Sequence, residues 1–187
     1  HHNLSRDFLG ISISTGQIQS YDDFINSYNS NRMAAPIDTK FLFRKKEFKN
    51  IGDAYLKVDV VILTGSAGTG KTRLALHYVK NHPDTNDEKV YCIHSNALPI
   101  YEDLKLFIDS PGNYFLFIDD ANQLSGLQHV IRYVCMKPEG YNVKILITVR
   151  DYALQKVIKD VREITSYEIV SISTFSDDEI KRLLEIS

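Results

Sequence analysis

The chain of 187 residues has only two cysteines, and neither sits at a spacing that disulfide or metal chemistry would use. Cys92 and Cys135 fall inside apolar patterns, which suits buried free thiols of a cytoplasmic protein and argues against a disulfide framework or a thiolate metal site. No apolar run approaches the ~20 residues that span a bilayer, and no secretory leader is evident, so no membrane partner is indicated. A basic surplus is missing too: 22 Lys and Arg face 24 Asp and Glu, a formal net charge of −2. That balance advertises no nucleic-acid surface, and direct nucleic-acid binding is not indicated. The 11 tyrosines are scattered rather than grouped as a stacking platform for single strands. There is no internal repeat and no low-complexity tract.

What is present is concentrated in residues 58–72, VDVVILTGSAGTGKT. Val58, Val60, Val61, Ile62 and Leu63 have the composition of a buried parallel strand. The loop that follows reads Gly65, Ser66, Ala67, Gly68, Thr69, Gly70, Lys71, Thr72, and Arg73 opens the helical pattern RLALHYVK. G-x-x-x-x-G-K-[ST] between a strand and a helix is the Walker A pattern in its supporting context. At average residue usage it arises by chance in about 1% of chains this long. The spacing has a chemical reason. Glycines let successive N–H groups turn inward as an anion nest, and the helix N-terminus adds the positive end of its dipole. Lys71 reaches the β- and γ-phosphates as a mobile point charge, and the Thr72 hydroxyl is placed to ligate Mg²⁺. Residues 65–73 are the expected nucleotide contacts. No N/T-K-x-D segment that would read guanine is present, so ATP or ADP with Mg²⁺ are the expected cofactors.

Elsewhere strands and helices alternate. Strands are expected near 89–94, 113–120, 142–151 and 166–173, and helices near 71–82, 98–109, 121–138, 151–164 and from Ser176 onward. Such alternation builds a parallel sheet covered on both faces. Before the phosphate loop, residues 41–57 suggest an amphipathic helix with Phe48, Ile51, Ala54, Tyr55 and Leu56. Residues 1–40 read as a tag remnant (His1 and His2) followed by a lead-in and linker segment without catalytic pattern. Within it, Ser20 is placed to cap a short helix carrying Phe24 and Tyr28 on one face. The expectation is that residues 41–187 form one phosphate-loop domain, cut from a longer multidomain protein.

The run at 115–118, Phe-Leu-Phe-Ile, ends in Asp119 and Asp120, the Walker B pattern of a buried strand delivering acids to the carboxyl edge of the sheet. Asp119 is expected to hold Mg²⁺ beside Thr72. Asp120 suits a water-activating base, and equally suits the N-cap of the helix that follows. Arg150 ends the next apolar strand near the same edge, where a guanidinium stabilises γ-phosphate charge; pairing with Asp151 at the surface is the alternative. His94, Ser95 and Asn96 follow the second parallel strand and read as loop hydrogen-bonding residues, the alternative being that they face the γ-phosphate; His77 reads as a structural histidine.

Walker A, FLFIDD and ILITVRD together resemble the nucleotide-binding domain of the STAND class of signalling ATPases, the NB-ARC-like relatives of AAA+ proteins, over about residues 41–187. FLFRKKEF resembles the motif that leads into that domain, which implies adenine contacts for Phe43 and Arg44, although Phe43 stands where glycine is usual. Thr148-Val149-Arg150-Asp151 resembles the sensor motif, with Arg150 at the sensor position. The resemblance implies an α/β three-layer sandwich with a five-stranded parallel sheet. Counted from the phosphate-loop strand, the implied order is 5-1-4-3-2. It also implies ADP held at rest, exchange for ATP, homo-oligomerisation on activation, fused effector and sensor domains, and for bacterial members a place in antiphage defence. Hydrolysis by the domain alone is expected to be slow. The alternative is an AAA+ remodelling or DNA-loading ATPase, which needs an arginine supplied in trans. A small-molecule kinase needs an acceptor pocket and lid arginines, which no pattern in the sequence identifies, and the strand ending in Arg150 argues against it. Ile180, Leu183 and Leu184 form an apolar stripe left for a partner.

Overall fold

Unbroken apolar runs, not alternating ones, set the centre of the molecule, because a strand covered on both faces must be apolar on both. The computed structural model describes residues 14–30, 44–82, 87–95, 98, 100–179 and 181. In chain order the elements are β1 (Ile18–Ser20), α1 (Tyr21–Ser30), α2 (Lys45–Tyr55), β2 (Val60–Gly65), α3 (Lys71–Asn81), β3 (Glu88–Ile93), α4 (Tyr101–Phe107), β4 (Gly112–Ile118), α5 (Leu127–Cys135), β5 (Tyr141–Arg150), α6 (Leu154–Arg162) and β6 (Tyr167–Ser171). They form one six-stranded sheet in the order β1-β3-β4-β5-β2-β6. Every residue of β2 is buried.

Alternate residues of each strand feed two separate cores. Val60, Ile62, Leu116, Ile118, Ile145 and Ile147 face one side, where they meet Leu104 of α4, Val130, Ile131 and Val134 of α5, and Val157 and Val161 of α6. Val61, Leu63, Phe115, Phe117 and Leu146 face the other, against Phe24 of α1, Ile51 and Ala54 of α2, and Leu74, Leu76 and Tyr78 of α3. Each side chain of this size, fully buried, contributes about 1.5–3 kcal/mol. The result is a helix–sheet–helix sandwich.

The five parallel strands follow the expected order, and the sixth strand is an addition. β1 pairs antiparallel with β3, Ile18 opposite Ile93 and Ser20 opposite Tyr91. It closes an edge of β3 that would otherwise expose unpaired backbone groups. Three residues carry too little periodicity to announce a strand from the sequence. α1 starts as expected: Ser20 Oγ accepts from the Asp23 N–H at 3.2 Å.

Three boundaries differ from the sequence expectation. Leu56, assigned to the apolar stripe of the helix before β2, is 76% exposed, because α2 stops at Tyr55 and turns. The helix expected over 121–138 is split: a 3₁₀ turn at Ala121–Gln123, then α5, with Gly126 at φ 78° at the joint. β4 ends at Ile118, so Asp119 and Asp120 lie just past the strand. Near the C-terminus, Ser176 Oγ and N–H both donate to Glu179 Oε2, at 3.0 and 2.8 Å, a capping box that opens the expected last helix. Ile180, Leu183 and Leu184 lie outside the described residues, as do Phe43 and Asn96. No helix among the described residues is long and apolar enough to cross a membrane.

Candidate nucleotide site

Parallel register brings the site together. β2 pairs with β5 so that Gly65 lies opposite Arg150, and β4 pairs with β5 so that Ile118 lies opposite Ile147. One step on, Asp119 lies level with Thr148, and the phosphate loop leaves the neighbouring strand at the same height. All of these side chains sit at the carboxyl edge of the sheet, where ligands of open α/β folds bind.

The loop has the shape that its glycines require. Gly68 and Gly70 take φ of 77° and 85°, the left-handed region that side chains disfavour, and nothing lies within 4 Å of where a Cβ would stand on either. Their outer faces therefore border open space. Gly65 is glycine for the opposite reason: a Cβ there would meet the Ile172 carbonyl oxygen at 2.5 Å. Ser66, Ala67 and Gly68 are exposed, whereas Thr69 is buried and its hydroxyl donates to the Ser66 carbonyl at 2.9 Å, bracing the turn. Lys71 begins α3, and its ammonium donates to the carbonyls of Gly65 at 2.8 Å and Ser66 at 2.7 Å. No carboxylate of the described residues pairs with it. Burial pulls this ammonium below the ordinary lysine value, and the Asp120 charge opposes the shift. A desolvated cation held only by carbonyl dipoles beside an open nest fits a polyphosphate chain.

Asp119 is buried and collects two hydroxyls on one oxygen. Thr72 Oγ1 donates to Asp119 Oδ1 at 2.8 Å and Thr148 Oγ1 donates to the same atom at 2.7 Å. Burial raises the carboxyl above the ordinary carboxylate range, and the Thr148 and Thr72 hydrogen bonds oppose it. The second oxygen receives neither hydroxyl. Among the described residues no group of three or more His, Cys, Asp or Glu is gathered for a metal. One carboxylate and one hydroxyl are the donor set that suits Mg²⁺ held jointly with phosphates, since that ion keeps most of its shell as water and phosphate oxygen.

Asp120 departs from ordinary backbone geometry. Its φ of 48° and ψ of 51° place it in the left-handed region, and no capping hydrogen bond forms from its side chain. Instead Oδ2 accepts from Arg150 Nη2 at 3.2 Å and from Gln123 Nε2 at 2.8 Å, while the Asp120 N–H donates to Thr148 Oγ1 at 2.8 Å. Such strain costs about 1–3 kcal/mol and collects at functional sites. Arg150 thus pairs with Asp120, not Asp151. Asp151 turns to the phosphate loop: Ser66 Oγ donates to its Oδ2 at 2.8 Å, and that bond, ahead of the Tyr152 N–H, holds its carboxyl below the usual range.

Arg44 is buried against the back of the loop. Its guanidinium donates to Ser173 O at 2.8 Å and Thr69 O at 3.4 Å, pairs with Glu47 at 3.0 Å, and lies 4.0 Å from the centre of the Phe175 ring. It ties the phosphate loop to the chain leaving β6. Arg73 follows Thr72 on α3, half-buried, and with Lys80 adds to the burial that lowers His77 below the ordinary histidine value. His77 meets the Phe48 ring at 5.4 Å, a packing contact. Ser95 Oγ donates to the Gln123 carbonyl at 3.0 Å, and the His94 N–H to Gln17 O at 3.0 Å.

Two residues of the site escaped the sequence reading. Thr148 was noted only within a motif; counting register from Arg150 to Asp119 across β5 and β4 would have found it. Tyr28 comes from α1, and burial, with the Asp119 charge adding to it, raises its phenol above the ordinary value. Nothing local in its sequence marks it, since its place depends on how α1 docks.

The description of the Novel STAND NTPase 3 family matches residues 42–185. The chain belongs to that family. Solved structures share the fold of this STAND NTPase domain at low identity. A closed-state reconstruction of Hsp104 with ATPγS and FITC-casein has a TM-score of 0.61 at 12% identity, covering 90% of this chain and 32% of that one. The RuvB Holliday-junction branch-migration motor of Thermotoga maritima gives 0.57 at 17% identity, covering 78% and 50%. A Walker-type ATPase of Pyrococcus abyssi gives 0.54 at 11% identity, covering 80% and 60%. The STAND domain thus spans between a third and three-fifths of these chains. Among curated protein sequences none matches it.

Proposed function

We propose that this STAND NTPase domain binds ATP and ADP with Mg²⁺ and hydrolyses ATP slowly, as a regulatory switch rather than a motor. The observation that carries this reading is the chain of contacts Thr72–Asp119–Thr148, 2.8 and 2.7 Å, set beside the buried ammonium of Lys71. Residues 65–73 would wrap the phosphates, with Lys71 leaving its two carbonyls for the β- and γ-oxygens. Mg²⁺ held by Thr72 and Asp119 supplies charge neutralisation at those phosphates when bound. Asp120 then orients or deprotonates the attacking water, and Arg150 meets the γ-phosphate charge.

The ion pair between Arg150 and Asp120, 3.2 Å, supports the switch reading. While paired, the guanidinium is held by the carboxylate that the reaction needs free. A γ-phosphate competes for Arg150 and releases Asp120, whereas a diphosphate leaves the pair intact. In this reading ADP is the resting ligand, and Arg44, at the loop's back, places the adenine side of the site together with Phe43. Oligomerisation of the longer protein, fused effector and sensor domains, and a role in bacterial antiphage defence extend the same proposal.

The test is titration calorimetry of ATP and ADP on the wild type and on Lys71→Ala. Wild-type binding with loss of at least about 100-fold in the variant is expected, as one charge-assisted contact to each of two phosphates is removed. Equal affinity in the two proteins rejects the assignment.

A further inference from the structure

Two neighbours at the end of β5 reach in opposite directions. Arg150 turns to Asp120, while Asp151 opens a 3₁₀ turn (Asp151–Ala153) and turns to the phosphate loop. Parallel register puts Gly65 opposite Arg150, so the next residues, Ser66 and Asp151, meet just past the two strands. Ser66 Oγ donates to Asp151 Oδ2 at 2.8 Å, and the Tyr152 N–H donates to Oδ1 at 2.9 Å. Both carboxylate oxygens are engaged, one by the turn that carries it and one by the loop.

Packing does little for this arm of the loop. Ser66, Ala67 and Gly68 are exposed, and Gly68 borders open space. The Ser66 carbonyl accepts from Lys71 Nζ at 2.7 Å and from Thr69 Oγ1 at 2.9 Å. An ammonium that moves to a phosphate leaves that carbonyl, and Thr69 braces Ser66 only to its own loop. The Asp151 bond fastens Ser66 to the end of β5 with the ammonium in either place.

We propose that Asp151 is a positioning residue for the nucleotide: through the Ser66 hydroxyl it holds the entry arm of the phosphate loop, residues 66–68, in its binding shape before phosphate arrives. The inference rests on the nucleotide-site reading and adds to it the group that keeps the outer arm formed. A loop ordered in advance spares the ligand the cost of ordering it, which raises affinity. The role needs a hydrogen-bonding partner for Ser66 rather than a charge. An asparagine serves, its oxygen accepting from the Tyr152 N–H and its nitrogen donating to Ser66 Oγ.

The experiment is calorimetric titration of ADP with MgCl₂ into the whole chain, for the wild type, Ser66→Ala, Asp151→Ala, the double variant and Asp151→Asn. Each single alanine variant should bind about 3- to 10-fold more weakly, the value of one hydrogen bond. The double variant should bind no more weakly than either, because the same bond is lost in all three. Asp151→Asn should bind at least as well as the wild type. Without nucleotide, hydrogen exchange over residues 66–70 should quicken in the alanine variants and stay at the wild-type rate in Asp151→Asn. Additive losses in the double variant, a loss in Asp151→Asn equal to that in Asp151→Ala, or exchange unmoved by the alanine substitutions overturns the proposal while leaving the nucleotide site standing. A wild type that binds no ADP overturns both.

Discussion

The two rims of the sheet use polar residues in opposite ways. At the amino rim, around the end of α3 and the start of β3, polar groups are locked among rings. The Tyr55 hydroxyl bonds Glu88, His82 lies 3.4 Å from the same carboxylate, and His82 stacks on Tyr78 at 5.3 Å and 11°. Phe115 closes the cluster, 5.0 Å from His82 and 5.5 Å from Tyr55. Lys144 reaches the Val58 carbonyl at 2.9 Å and Asp59 at 3.3 Å. At the carboxyl rim the partners are provisional: an ammonium on carbonyls, a hydroxyl on a carboxylate, a guanidinium 41% exposed on a strained aspartate. One rim holds the fold, and the other holds charge in readiness for a ligand.

That contrast breaks most sharply if a substitution at the amino rim harms the site, or one at the carboxyl rim harms the fold. Phe115→Ala opens a cavity among the rings and should cost about 3–5 kcal/mol, lowering the melting temperature by roughly 6–20 °C. Nucleotide affinity of the fraction that remains folded should be unchanged, and a melt unaltered by the substitution would refute the division. Asp120→Asn should do the reverse. Asparagine tolerates the left-handed backbone, so melting and ATP binding should hold, while turnover falls about 10²-fold or more. Normal phosphate release by that variant would reduce Asp120 to a partner of Arg150. Arg150→Ala should lower the ratio of ATP to ADP affinity by about tenfold, the value of one charge-assisted hydrogen bond; an unchanged ratio would leave the arginine a surface group.

The smallest effect is the pH dependence of Lys71. Burial lowers the free protein's ammonium below the ordinary value of 10.5, and bound phosphate favours its charged form. Nucleotide affinity should be full below the lowered value and decline as pH rises through it. Stability of the free chain moves the other way, rising with pH between the folded and unfolded values, because folding penalises the cation. Calorimetric titration at rising pH should show the decline in the wild type and not in Lys71→Arg, whose charge persists; matching curves would point to another titrating group.

The parallel part of the fold was legible because its signals are local and strong. Phosphate-loop glycines, a run of four apolar residues before Asp119, and strand–helix alternation each state their own geometry, and strand order followed from the class they resemble. What stayed hidden depended on distant pairing. Ile18 and its two neighbours make a strand only because the edge of β3 is open to them, and Leu56 looks apolar in pattern but falls one residue past the helix. In the site, the Ser66 to Asp151 bond and the Arg150 to Asp120 pair cross between loops 85 and 30 residues apart, and no short-range pattern distinguishes those partners from the surface pairing of Arg150 with Asp151.

The close approach at Gly65 has a mechanical sequel. Ile172 donates its N–H to Thr64 O at 2.8 Å, and its carbonyl leaves no space for even a methyl group on Gly65. Main chain bears directly on main chain there, with no compliant side chain as cushion, and Arg44 clamps Thr69 to Ser173 beside it. A displacement of the polypeptide just beyond β6 is thereby passed through main-chain contact to the loop at residues 65–70, and a displacement of that loop is passed outward along the same linkage.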